Sequence, residues 1–136
     1  MVAKYAQRAY TLYMQLSSKP DLLAAAQDYA RRDWAVFPLV PGQKRPLTGH
    51  GFMDATTEAA KISRWWKKYP NANIGIATGL KSNIVVVDVD DPRSMVLLRK
   101  LIGNTVTLNA QTQSGGWHLF FRQPSVALGN RTNFLP

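Results

Sequence analysis

The stretch Ile84-Val85-Val86-Val87-Asp88-Val89-Asp90-Asp91 joins an apolar, β-branched run to three carboxylates. Ile84 to Val89 is β-branched at almost every position, which predicts a buried β-strand. Side chains at positions i and i+2 of a strand point to the same face, with Cα atoms about 7 Å apart. Asp88 and Asp90 therefore share one face of the predicted sheet, where the strand ends.

These two carboxylates are close enough to repel each other. At roughly 5 to 6 Å and an effective dielectric constant of about 20, the repulsion is on the order of 3 kcal/mol. A divalent cation would remove it, and carboxylate oxygens are ligands that such ions prefer. Acids at a strand end can also be solvated loop residues. Two interpretations therefore remain for Asp88 and Asp90, a metal site or a solvated strand end.

The third carboxylate, Asp91, has a different predicted role. It directly precedes Pro92, and Asp at the N-cap with Pro at the first helical position is typical of a helix start. Apolar residues then recur at helical spacing as far as Ile102, and Gly103 predicts the helix end. We therefore assign Asp91 to capping rather than to metal binding.

Composition limits the class of protein. The 136 residues form one domain, and a hydrophobic content of 46% fits a globular chain. The absence of Cys excludes disulfides, thiolate zinc sites and thiol catalysis. The apolar stretches are strand-sized, so no transmembrane span is predicted, and no secretory signal is evident. We expect a cytoplasmic protein.

The charge distribution is uneven as well as strongly positive. The net charge is +9, and all eight acidic residues lie between Asp21 and Asp91. From Pro92 onward the chain contains Lys and Arg but no acid. Such a distribution favours a polyanionic partner, either nucleic acid or nucleotide phosphates, over ordinary surface charge.

The remaining sequence predicts a mixture of helices and strands. Consecutive strands after residue 104 indicate an antiparallel part of the sheet. In the third helix, Ile62, Trp65, Trp66 and Tyr69 form the predicted buried face, so both tryptophans are expected in the core rather than against nucleic-acid bases. Helices are predicted at residues 2–16, from Asp21 through Ala30, from Thr57 with Lys67 and Lys68 in its last turn, and from Pro92 to Gly103; strands are predicted at Trp34–Val40, Asn73–Thr78, Ile84–Val89, Thr105–Ala110 and Trp117–Arg122.

A second unusual motif is Ser114-Gly115-Gly116-Trp117-His118. Its glycines predict a turn whose backbone could approach a phosphate closely. His118 then shares a strand face with Phe120 and Arg122. If this strand lies near the acidic one, His118 and the two aspartates line one cleft. Taken singly, the turn could be a plain hairpin and the histidine a structural residue.

Further ordered blocks of sequence accompany the two motifs. They are Tyr29-Ala30 with Trp34-Ala35-Val36-Phe37-Pro38-Leu39, Pro41-Gly42-Gln43-Lys44-Arg45-Pro46-Leu47, Asp54-Ala55-Thr56-Thr57, Trp65-Trp66 before Tyr69-Pro70, and Ala72-Asn73-Ile74-Gly75-Ile76-Ala77-Thr78-Gly79. Together, from about Ala24 to Phe121, the chain resembles the N-terminal prim-pol domain of bifunctional DNA primase/polymerases. That family is a branch of the archaeo-eukaryotic primase superfamily, found largely in plasmid and phage replication proteins.

The resemblance implies a fold. It is an α/β (α+β), archaeo-eukaryotic primase-like domain, with helices packed on a mixed sheet whose RRM-like half carries the Asp-x-Asp strand. The prim-pol domain would occupy residues 20–136, and residues 1–19 would form an N-terminal helical extension outside the resemblance.

The resemblance also implies an activity, template-dependent nucleotidyl transfer from a nucleoside triphosphate to a 3′-hydroxyl or a first nucleotide. Asp88 and Asp90 would hold two divalent ions, Mg²⁺ or Mn²⁺, and His118 would donate to the triphosphate. The residues implied as further nucleotide contacts are Ser114, Gly115, Gly116, Lys44 and Arg45. The implied partners are a DNA template and primer, nucleoside triphosphates, and a fused or separate helicase, with no membrane.

One part of the family pattern is missing. The similar enzymes complete the metal site with a third carboxylate on a later, Gly-rich strand, whereas no Asp or Glu follows Asp91 here. We therefore expect the domain to be truncated at its C-terminus. The alternative function is a catalytically incomplete nucleotide- or nucleic-acid-binding module of the same fold. A toprim-type metal enzyme would need a Glu after an earlier strand, and Ile74–Gly79 offers none.

Overall fold

The computed structural model describes residues 21–112, 114–126, 128 and 129. The helix predicted at residues 2–16 lies outside these residues. The described residues form an α+β fold with three α-helices and two small antiparallel sheets, which confirms the predicted fold class. The helices are α1 (Leu22–Arg31), α2 (Ala59–Lys68) and α3 (Pro92–Ile102), with a short 3₁₀ helix at Gly51–Asp54; the strands are β1 (Val36–Leu39), β2 (Asn73–Ile76), β3 (Ile84–Val89), β4 (Asn109–Gln111) and β5 (Trp117–Arg122).

The first half of the molecule is built from β1, β2, α1 and α2. Asp21 caps α1 as predicted, its Oδ1 accepting from the Ala24 N–H at 3.0 Å. Of the predicted buried face of α2, Ile62 and Trp66 are buried and Trp65 and Tyr69 pack partly buried against them, which confirms the core assignment. The buried residues of this core are Ala26, Ala30, Val36, Ile62, Trp66 and Ala72.

The second half is a β-α-β-β unit. Its strands lie in the order β3-β5-β4, and α3 connects β3 to β4. Because β5 is antiparallel to both neighbours, β3 and β4 run in the same direction without touching, as in the RRM-like half predicted. The expected mixed sheet is therefore replaced, in the described strands, by two sheets with antiparallel pairing only.

Strand β3 has the predicted bounds but is less buried than predicted. One face packs on α3 through a core of Val89, Leu98 and Leu119. The other face is covered near Ile84 and exposed at Asp88, so burial along β3 is complete only at Ile84 and Val89. On the side away from β5, β3 makes only an isolated bridge from Ile84 to Gly79 among the described residues, which leaves β3 at the edge of its sheet.

The other predicted bounds differ by amounts that local contacts explain. The strand predicted at Thr105–Ala110 forms only at Asn109–Gln111, because the Thr107 hydroxyl rather than a backbone N–H binds the Phe120 carbonyl, and Val106 is 97% exposed. Helix α2 begins at Ala59 instead of Thr57, and the Glu58 N–H is bound by the Thr56 hydroxyl at 3.1 Å. Strands β1 and β2 are shorter than predicted at their ends.

An aromatic stack joins the two halves. The Trp34 ring lies 5.7 Å from the Tyr29 ring and 5.5 Å from the Phe120 ring, each within 10° of parallel. Nearby, the buried Ser82 hydroxyl donates to the Ala77 carbonyl and accepts from the Ala35 N–H. In the part of the chain described, no helix has the length and apolar character needed to cross a membrane.

Candidate functional site

The pairing of β3 with β5 places Asp88 directly opposite His118. Directly opposed side chains of antiparallel strands lie on the same face. The Asp88 Oδ1 atom is 3.4 Å from the His118 Nε2 atom, and the two side chains are 56% and 43% exposed. Ion pairs this exposed stabilise a fold by only about 0 to 1 kcal/mol. The pair therefore contributes little to the stability of the fold, which makes it a candidate for a functional role.

Asp90 lies at the same end of the β3–β5 pair. A Cβ atom placed on Gly116 would be 3.2 Å from the Asp90 Oδ1 atom and 2.8 Å from the Val89 carbonyl oxygen. The backbone just before β5 thus passes directly against Asp90. The structure therefore brings Asp88, Asp90 and the start of the His118 strand to one end of the sheet.

The Ser114-Gly115-Gly116 segment closes the hairpin between β4 and β5. The Thr112 N–H donates to the Gly116 carbonyl at 2.9 Å, and the Gly115 N–H donates to the Thr112 carbonyl at 3.0 Å. Gly115 has a φ of +92°, a conformation that favours glycine. The segment is therefore the turn of a hairpin, and it lies beside Asp90.

Asp91 caps α3, as the sequence predicts. Its Oδ1 atom accepts from the Arg93 and Ser94 N–H groups at 2.8 and 3.0 Å, and the Ser94 hydroxyl donates to Oδ2. The bond from the Ser94 hydroxyl, followed by those from the backbone, lowers the pKa of the Asp91 carboxyl below its ordinary value. Both oxygens are committed to the helix, so Asp91 is set apart from the other two aspartates.

The side chains at this end of the sheet would supply only some of the ligands that a divalent ion such as Mg²⁺ takes. Within the described ranges, no group of three or more His, Cys, Asp or Glu residues could together hold a metal ion. Asp88 and Asp90 offer two exposed carboxylates, however, and Mg²⁺ commonly takes one or two protein carboxylates with phosphate oxygens and water. These two residues are therefore the candidates for binding a nucleotide-associated ion.

Lys44 and Arg45 are not brought to this end of the sheet by any described contact. They lie exposed in the loop after β1, which pairs back on β1 through Leu39 and Pro46. Their side chains make no hydrogen bond or ion pair with a described residue. Their predicted role in phosphate binding stays a prediction.

Sequence reasoning missed Trp34 as a neighbour of the site. Its ring stacks on Phe120, which shares the open face of the sheet with His118 two residues earlier. Together with Arg122 these rings border a cavity of about 380 Å³. Alternation along β5 indicates the shared face of His118 and Phe120, but no local signal connects Trp34 to it.

The chain matches one known protein family over most of its length. The model of a family described as "Bifunctional DNA primase/polymerase, N-terminal" (Prim-Pol) matches residues 26–136, a range that includes the Asp88–His118 pair and the hairpin turn. No curated protein matches the chain.

Proposed function

The chain belongs to the bifunctional DNA primase/polymerase N-terminal family, and from this premise we propose that it catalyses template-dependent nucleotidyl transfer from nucleoside triphosphates. Membership in this family supports a DNA primase/polymerase function and interaction with DNA and nucleotides, and enzymes of the family generally use divalent metals. The observation that carries the proposal is the Asp88–His118 pair across β3 and β5, with Asp90 at the same strand end.

Asp88 and Asp90 are the residues that would hold the divalent ions, Mg²⁺ or Mn²⁺. When bound, such ions stabilise charge on the attacking and leaving oxygens of phosphoryl transfer. The protein keeps both carboxylates on one face, because side chains alternate between the two faces along β3. Their exposure leaves room for phosphate oxygens and water to complete the coordination.

His118 would bind the triphosphate of the incoming nucleotide. A protonated imidazole carries two N–H donors, and only the Nε2 side faces Asp88. The Nδ1 side is then available to a phosphate oxygen. Ser114, Gly115 and Gly116, in the turn beside Asp90, are proposed as further contacts of the same triphosphate. Lys44 and Arg45, which are exposed, are proposed as nucleotide-phosphate contacts as well.

We place this activity in a plasmid- or phage-type replication protein that works with a fused or separate helicase. We take that context from the sequence blocks that resemble the family, and it is part of the proposal. A specific observation also favours a second candidate, a nucleotide- or nucleic-acid-binding module without turnover. Among the described residues the site offers two carboxylates, Asp88 and Asp90, and no group of three or more residues that could hold a metal ion.

The metal assignment is tested by titrating Mn²⁺ into the protein in a calorimeter. Wild type should bind Mn²⁺, and at 100 times the dissociation constant the ion should add about 2.7 kcal/mol to the free energy of unfolding. Asp88→Asn combined with Asp90→Asn should abolish both effects. Asp33→Asn is the matched control, because Asp33 is exposed and has a φ of 61° that Asn also adopts. Equal heats from wild type and the double variant would refute the assignment.

Primer extension separates the enzyme from the binding module. Extension of a labelled primer on a DNA template with Mn²⁺ supports the enzyme, whereas triphosphate binding without extension supports the module. In either case His118→Ala should weaken triphosphate binding more than DNA binding, since His118 is assigned to the triphosphate. Equal weakening of both would remove His118 from that role.

A further inference from the structure

A second cavity lies in the first half of the molecule, between the loop at residues 47–54 and helix α2. Its volume is about 380 Å³, and it shares no lining residue with β3 or β5. The lining residues that carry charge or an aromatic ring are His50, Asp54, Lys61, Trp65, Lys68 and Tyr69.

Two lysines are held at this cavity by aromatic rings. The Lys61 Nζ atom lies 4.9 Å from the centre of the Trp65 ring, and the Lys68 Nζ atom lies 5.0 Å from that of Tyr69. Both rings pack against the core of the first half, so they are fixed supports. A cation–π contact orients an ammonium group without neutralising its charge. The cavity is therefore bordered by two positioned positive charges.

Asp54, the acid in the cavity, offsets these charges only in part, because its carboxylate acts on Lys61 without forming an ion pair with it. The Asp54 Oδ2 atom accepts from the His50 N–H at 2.9 Å, and its Oδ1 atom lies 3.2 Å from the His50 Nδ1 atom. Lys61 instead donates to the Asp54 carbonyl oxygen at 3.2 Å. Among the described residues, neither lysine forms an ion pair with a carboxylate. Their charge is available to an anion.

The spacing of the cations along α2 fits a chain of phosphates. Lys61, Arg64 and Lys68 follow at i, i+3 and i+7, so they share one helix face, and Arg64 is paired with Glu58 at 3.8 Å. Lys61 and Lys68 are seven residues apart, or about 10 Å along the helix axis. The two lysines are therefore too far apart to share a single phosphate group, and they could each contact a different phosphate of one strand. The sequence of α2 contains no acid.

An exposed aromatic residue lies in the same loop, between the lining residues His50 and Asp54. Phe52, on the 3₁₀ helix of the same loop, is 64% exposed. Aromatic side chains beside a cationic groove are the usual platforms for unpaired bases of a single strand. We propose that Lys61, Lys68 and Phe52 form a binding site for single-stranded DNA, separate from the nucleotide site at Asp88. The choice of DNA as the polyanion rests on the proposed function.

The test is fluorescence anisotropy of the whole chain with a labelled oligothymidylate of about 20 nucleotides, longer than most single-strand sites. Lys61→Gln with Lys68→Gln should weaken binding by about tenfold and reduce the slope of log affinity against log salt by about 0.7 for each phosphate that the variant no longer neutralises. Lys67→Gln with Lys100→Gln removes the same charge elsewhere and should change the affinity less than about twofold. Equal reductions in affinity from the two pairs would overturn the proposal.

Two further measurements identify what the site binds. Phe52→Ser should weaken binding of the oligothymidylate more than binding of a duplex, whereas Leu80→Ser, another exposed apolar position, should affect neither. Sodium triphosphate at concentrations equal in charge should compete poorly. If triphosphate displaces the strand as well as a second strand does, the site is for a free phosphate compound, and the proposal fails.

This site and the nucleotide site can fail independently. The lysine pair variant should keep wild-type Mn²⁺ binding, and Asp88→Asn with Asp90→Asn should keep wild-type affinity for the oligothymidylate in metal-free buffer. Loss of Mn²⁺ binding in the lysine variant, with unchanged thermal stability, would show that the two sites are one and overturn the proposal.

Discussion

Gly116 is the residue whose identity the geometry of the site most clearly requires. A methyl group at this position would lie 2.8 Å from the Val89 carbonyl oxygen, closer than Cβ atoms approach backbone oxygen in real structures. The neighbouring atom is backbone at the end of the β3–β5 pair, so it cannot move away as a flexible side chain would. The absence of a side chain at Gly116 therefore lets β5 start beside Asp90.

Gly116→Ala should lower the free energy of unfolding by about 1 to 3 kcal/mol, the usual effect of overpacking. It should also weaken Mn²⁺ binding, because the methyl group displaces Asp90. Urea denaturation and Mn²⁺ calorimetry measure the two effects. Gly49→Ala is the control, since nothing lies within 4 Å of a Cβ atom there. If Gly116→Ala is as stable as Gly49→Ala, the close approach at Gly116 does not constrain the hairpin.

Elements with signals in their own sequence were predictable, and the contacts between elements were not. The bounds of β3 and β5, and both ends of α3, follow from β-branched runs, the Asp91-Pro92 start and the Gly103 end. By contrast, the shortened β4 depends on a hydrogen bond from Thr107 to β5, a contact between separate segments.

The candidate site was predictable to the same extent. The shared face of Asp88 and Asp90 follows from strand alternation. The Asp88–His118 contact depends on β5, rather than β4, pairing with β3, and sequence left that choice open. The cavity beside Lys61 was not predicted, because it depends on how α2 packs against the loop at residues 47–54. The sequence predicted that the backbone of the turn glycines could approach a phosphate. In the structure the backbone of Gly116 lies close to the end of β3.

Capping of α3 by Asp91 should make stability depend on pH in the acid range. The carboxyl has a lowered pKa in the folded chain, so its contribution is complete above the ordinary Asp value of about 3.9 and is lost as pH falls through the lowered pKa. Asn also caps helices but does not titrate. Asp91→Asn should therefore be less stable than wild type at neutral pH, with a difference that shrinks below about pH 4. Urea denaturation over this range would contradict the assignment if the difference were constant.

At the scale of the whole molecule, the two halves carry different predicted tasks. The second half presents Asp88 and His118, and the first half presents the lysines of α2. The Trp34 ring, stacked between Tyr29 and Phe120, joins one half to the other. The stack therefore sets the position of one proposed site relative to the other.

Trp34→Leu should lower the free energy of unfolding by about 1 to 3 kcal/mol, because each aromatic pair contributes about 0.5 to 1.5 kcal/mol beyond the burial of its area. Trp117→Leu is the control, since Trp117 makes no ring contact with a described residue. Urea denaturation of both variants measures the difference. A Trp34 variant no less stable than the Trp117 variant would show that the stack does not hold the halves together.

The position of β3 at the edge of its sheet has a consequence for handling the protein. Within the part of the chain that the structure describes, Ile84–Val87 is a β-branched, uncharged segment whose side away from β5 is paired only by the Ile84–Gly79 bridge, the kind of edge on which copies of a chain assemble into aggregates. Asp88 and Asp90 place negative charge at its end and so act as gatekeepers against such assembly. The carboxylates assigned to metal binding thus have a second expected effect, and we expect a chain in which both are neutralised to self-associate more readily than wild type as its concentration rises.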